Sequence, residues 1–259
     1  MSKATPWIVI LVIAAGLAAW YFYDRGEPEA HPSVVTIPAA EPVAVEPEAD
    51  WPVENIPVVE EAPPPEPLPD LADSDESIAE ALAGLVGAEF LGSHFILEQV
   101  ISRIVATVDM LDSRQLAPLV MPVHPPQGEF RVAGTETLAM HPDNFLRYEP
   151  YVQMASDLDS RLAVDFYVRY YPLFQQAYSE LGYGEAHFSD RLVEVIDHLL
   201  ATPELSSNPE LIKPEAVYLF ADPELEALSA GQKLLLRTGP GHRSRLLARL
   251  REFRAGITA

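Results

Sequence analysis

Cysteine is absent from the 259 residues, which excludes disulfides, thiolate metal sites and a cysteine nucleophile. Bases are scarce: 17 Lys and Arg stand against 39 Asp and Glu, a formal net charge of −22. A nucleic-acid backbone calls for a net basic face, so this balance argues against such a partner. Familiar catalytic signatures are also missing, with no HExxH, no GxSxG and no P-loop. The run GPGHRS at 239–244 lacks the P-loop's glycine spacing and its preceding strand. We therefore expect no enzymatic activity and no cofactor.

Long uncharged apolar runs are lacking everywhere except at the start. Ala4–Tyr23 reads ATPWIVILVIAAGLAAWYFY, twenty residues without a charge. As a helix this run spans about 30 Å, the thickness of a bilayer's hydrocarbon core. Trp7 at one end and Trp20, Tyr21, Phe22 and Tyr23 at the other suit the two headgroup layers. Lys3 precedes the run, and Asp24, Arg25, Glu27 and Glu29 follow it. The positive-inside bias then keeps the N-terminus in the cytoplasm and exports the rest of the chain. A cleaved signal peptide is the rival, since AAGLAAW offers small residues to a peptidase. The continuation into WYFY favours an uncleaved anchor, residues 1–23.

Residues 24–76 hold twelve prolines and fifteen acids against one base, Arg25. Proline removes backbone donors and like charges repel, so this stretch reads as a disordered, extended acidic spacer. A sharper reading makes part of it a docking motif, with Trp51, Ile56, Val58 and Val59 as anchors. The last 27 residues invert the balance, with seven of the 17 bases and one acid, Glu252.

From residue 77 to 259 helical periodicity takes over. Ser74 or Asp75 can cap a helix carrying Ile78, Leu82 and Leu85. A longer helix is expected from Glu89 to Leu111, ended by the four prolines between Pro118 and Pro126. FRVAGTETLAM (130–140) reads as one small β-hairpin around Gly134. Phe166, Tyr170, Phe174 and Tyr178 then recur every four residues, with Tyr167 and Tyr171 beside them. Pro172 should kink or divide that helix, and Gly182 and Gly184 should end it. Ser189 is expected to cap DRLVEVIDHLLA, whose Leu192, Val193, Ile196, Leu199 and Leu200 form one apolar stripe. TPE, NPE, KPE and DPE at Pro203, Pro209, Pro214 and Pro223 resemble helix starts. Ser229 with Gln232 forms a capping box for a helix that Gly239 stops. A last helix, 243–254, buries Leu246, Leu247, Leu250 and Phe253. The fold class expected is mainly α: a transmembrane helix, a spacer, and a multi-helix domain with at most one hairpin.

Three side-chain groups could carry function. Asp190, Glu194, Asp197 and His198 share the polar face opposite the apolar stripe, and Glu194 and His198, four apart, could share a metal. Di-iron bundles instead use Glu and His three apart, twice over, and no second copy exists here. The plainer reading is a solvated helix face. Tyr167, Tyr171 and Tyr178 could stack on a cell-wall glycan, though such a stripe more often packs a core. Arg243, Arg245 and Arg249 could meet an anionic membrane, an acidic partner or the chain's own spacer, or simply face water.

The runs FSDRLVEVIDHLLATPE (188–204), FADPELEALSAGQKLLLRTGP (220–240), NFLRYEPYV (144–152) and YYPLFQQAYSELGY (170–183) carry a resemblance. Over most of residues 71–259 the chain resembles the bacterial membrane proteins grouped as domain of unknown function 3014. The resemblance implies an N-terminal anchor, an acidic proline-rich spacer and an exported helical domain, and it assigns no catalytic residue. Three functional readings are open, the first two being an inner-membrane protein presenting a periplasmic domain to an envelope protein and a cell-wall glycan binder. A metal-dependent envelope enzyme is the third.

Overall fold

The aromatic stripe at 166–178 lies at the centre of the molecule. The computed structural model describes residues 48–57, 67–215 and 217–259. Among these the fold is mainly α, with one small antiparallel sheet. The helices are α1 (Asp75–Val86), α2 (Ala88–His94), α3 (Val100–Met110), α4 (Asp143–Leu146), α5 (Glu149–Asp157), α6 (Ser160–Tyr178), α7 (Phe188–Leu200), α8 (Pro223–Glu226), α9 (Ala230–Arg237) and α10 (Pro240–Ile257). The strands are β1 (Val132–Ala133), β2 (Leu138–Met140), β3 (Glu210–Ile212) and β4 (Leu219–Phe220).

Helix α6 packs against α3, α7 and α10. Its Phe166, Tyr167, Phe174 and Tyr178 are all buried. Phe174 stacks on Phe188 of α7 at 5.7 Å, and Tyr167 meets Phe253 of α10 edge-on at 6.2 Å. Burying each such ring is worth roughly 2–3 kcal/mol, enough to override local propensity. That is why Pro172 does not divide α6, which runs as one helix through it. Pro172 faces outward, where water can serve the carbonyl that its ring leaves without a donor. A π-type turn, Ser179–Tyr183, follows, and Gly182 and Gly184 end it with φ of 105° and 60°.

The helix expected over 89–111 is two helices. Gln99 breaks it with φ of 52°, and Phe95 pairs with Val123 of the proline-rich stretch. Asp75 does not cap its own helix. Its carboxylate accepts the Gln99 and Val100 amides at 2.8 and 3.1 Å, so it caps α3 from α1.

The hairpin at 130–140 forms as β1 and β2, and Gly134 turns it with φ of 90°. It is half of a four-stranded sheet ordered β1-β2-β3-β4. NPE and KPE, expected to start helices, serve β3 and its following turn instead. Only Asp222-Pro223 opens a helix, with Asp222 accepting the Glu224 amide at 2.8 Å. Pro209 needs no donor at a strand start. Met140, Leu211, Phe220 and Leu236 form a separate small apolar cluster for this sheet.

No helix among the described residues is long and apolar enough to cross a membrane. Ala4–Tyr23, with Trp7, Trp20, Tyr21, Phe22 and Tyr23, lies outside the described residues. So do 24–47 and 58–66 of the spacer, Val58 and Val59 included.

Candidate functional site

Helix α7 opens at Phe188, one residue before the expected cap. Gln175 of α6 accepts the Phe188 amide at 2.9 Å and donates to the Ala186 carbonyl at 2.8 Å, while Ser189 is buried. Leu192, Val193, Ile196 and Leu199 go into the core as the periodicity requires, and Leu200 is partly covered. Asp190, Glu194, Asp197 and His198 therefore emerge on the other side. The structure gives each a different partner. Asp190 accepts the main-chain amides of Asp50 and Trp51 at 3.2 and 2.8 Å. Glu194 pairs with Arg191 at 3.0 Å. Asp197 holds the Arg254 guanidinium in a two-pronged pair, one contact at 2.7 Å. His198 Nε2 lies 2.9 Å from Ser229 Oγ, and that hydroxyl caps α9 by accepting the Gln232 amide. Glu194 and His198 thus do not converge on one point. Among the described residues no three His, Asp or Glu are grouped to hold a metal ion.

Arg191, which the sequence did not single out, is the strongest electrostatic feature of this face. Its side chain is only 16% exposed. The guanidinium reaches Asp109 at 2.9 Å, Asp112 at 2.8 Å and the Asp109 carbonyl at 2.6 Å. Burial opposes its charge, but hydrogen bonds to Asp112, Asp109 and Glu194 outweigh this and push the pKa up. Tyr183 donates to the same Asp109 at 2.7 Å, and that bond, with some burial, raises the tyrosine's pKa. The clue available beforehand was the pair Asp109 and Asp112, three apart at and just past the end of α3.

The amides held by Asp190 belong to the spacer. From there the chain makes a 3-10 turn, Val53–Asn55, and buries Val53 and Ile56 in the main core at 5% exposure each. The Arg254 guanidinium lies over the Trp51 ring, 5.9 Å from its centroid. Between this strap and α7 is a groove of about 510 Å³, lined by Glu48, Trp51, Tyr178, His187, Asp190 and Glu194 among others.

Tyr167 and Tyr178 are 1% and 4% exposed, so their ring faces are not presented to a sugar. Burial pushes the Tyr167 hydroxyl well above its ordinary value and takes that of Tyr178 up to about 12. Tyr171 is half-buried and donates to Gln175 at 3.0 Å. Its pKa is raised first by burial, with Asp190 and Glu54 of the strap adding to the effect. The arginines of α10 mostly fasten that helix. Arg243 is buried, Arg245 reaches Glu149 at 3.3 Å, and Arg249 pairs with Glu252 at 2.7 Å and bonds the Ser156 carbonyl.

Fold and face together define a class: a mainly helical domain built round one aromatic helix, with a strap of preceding chain pinned across α7. Residues 100–254 match the family described as Protein of unknown function (DUF3014), and the chain belongs to that family. No curated protein and no solved structure matches it.

Proposed function

We propose that this is a single-pass inner-membrane protein whose helical domain stands in the periplasm and binds an envelope protein, without catalysing a reaction. The observation behind the membrane assignment is the uncharged run Ala4–Tyr23, with Lys3 before it and an acid-rich, proline-rich stretch after it. The binding reading is supported by the α7 face. Its Asp190, Asp197 and His198 hold other segments in place, leaving a shaped surface rather than a reacting pair.

Two measurements test this. Alkaline carbonate extraction of cells producing the full chain should leave it in the membrane fraction, and a C-terminal alkaline phosphatase fusion should be active. Release by carbonate, or an inactive fusion that is stably produced, ends the membrane reading. For the partner, crosslinking in intact cells should trap one envelope protein through the helical domain, and a trap confined to cell-wall glycan would replace it.

A further inference from the structure

Residues 50–56 are held as a peptide ligand is held by a receptor. Asp190 takes two successive main-chain amides, at 3.2 and 2.8 Å, which fixes the backbone without reading side chains. Pro52 is extended at φ −70° and ψ 128°, and the 3-10 turn that follows spaces the next contacts. Residues i and i+3 eclipse in such a turn, so Val53 and Ile56 point the same way, and both are buried in the main core. Trp51 lies beneath Arg254, itself anchored by Asp197. Tyr178 of α6, Asp190 and Asp197 of α7 and Arg254 of α10 are all within the family-matched stretch 100–254, whereas the strap precedes it.

We propose that the α6–α7–α10 face is a peptide-docking groove and that residues 50–56 are its built-in ligand, closed in cis. The pattern it reads is two successive free amides, an aromatic residue before proline, and aliphatic residues three apart. Among the described residues the strap is held chiefly by two amide bonds, one ring contact and two buried aliphatic side chains. Such a segment opens locally at far less cost than global unfolding. A tethered ligand acts at an effective concentration in the millimolar range, so a free peptide of the same pattern competes with it at a disadvantage. The proposal deepens the partner-binding reading, and its test needs no membrane, so the two fail separately.

The test uses the full chain in detergent. Asp190→Ala should speed hydrogen exchange at 50–56 at least tenfold and leave α3 and α6 as protected as in wild type. A fluorescein-labelled peptide of residues 48–57, EADWPVENIP, should bind the Val53→Asp/Ile56→Asp protein and bind wild type at least tenfold more weakly. Adding Asp190→Ala, or replacing the peptide's tryptophan by alanine, should abolish binding. Unchanged exchange at 50–56 in Asp190→Ala overturns the proposal. So does failure of the peptide to bind a strap variant whose helices keep wild-type protection. If the double variant does not fold, the Asp190→Ala exchange result decides alone. A wild-type dimer that Asp190→Ala splits would put the strap in trans and overturn closure in cis.

Discussion

Arg191 holds three carboxylates, those of Asp109, Asp112 and Glu194, and the Asp109 carbonyl with a single guanidinium. Replacing it with alanine leaves Asp109 and Asp112 facing each other without a counter-charge. We expect Arg191→Ala to cost about 3 kcal/mol, the low end for a broken buried pair because Asp112 is 28% exposed. Arg191→Lys should recover less than half, since an ammonium cannot fork to both acids. Urea unfolding of the three proteins measures this. Gly239 is constrained differently: φ is 89°, and an added Cβ would lie 2.7 Å from the Phe145 ring. Gly239→Ala should therefore destabilise by about 2 kcal/mol or more through strain and displacement of that ring.

Glu149 contributes an acid-side pH dependence. The hydrogen bond from His242, at 2.7 Å, holds its carboxyl below the ordinary value of 4.5; burial opposes this and Arg245 adds to it. A carboxylate with a depressed folded pKa contributes stability above its unfolded value and loses it as pH falls through the folded value. Stability measured by urea between pH 6 and 3 should thus fall below about pH 4.5, and Glu149→Gln should flatten part of that acid limb.

At the scale of elements, what could be read beforehand was whatever depends on near neighbours in the chain. The stripe of α7 and the buried leucines of α10 were legible because 3.6-residue periodicity is local. The Ser229 cap and the hairpin turn at Gly134 were legible for the same reason. The break at 95–99 was not, because its causes are the bridge to Val123 and a cap supplied by Asp75. Nor was the pairing of Leu138 with Leu211, a partner far along the chain. The proline-acid device pointed to helices at Pro209 and Pro214 and was overruled by that pairing. The candidate face was legible as a face, but not that its groups serve four different partners. Asp75→Ala should remove the α3 cap, costing about 1 kcal/mol, and speed exchange in the first turn of α3 while α6 stays protected.

At the scale of the whole molecule, the charge partition seen along the chain does not carry over to α10 in the fold. The basic residues of α10 look like a cationic patch in sequence. In the fold they meet Glu149, Asp197 and Glu252, so the acidic character of the whole dominates. Anionic vesicles should accordingly recruit the domain no better than neutral ones at physiological salt, as sedimentation would show.

Helix α10 comes last of the ten, yet it closes the core against α5, α6 and α7. A chain made from its N-terminus onward therefore exposes the flanks of its aromatic helix until those final turns emerge. Contacts at such separation in sequence form late, after their loop-closure entropy has been met. Nascent chains arrested before residue 240 should remain open to protease, and release of the complete chain should bring resistance in one step.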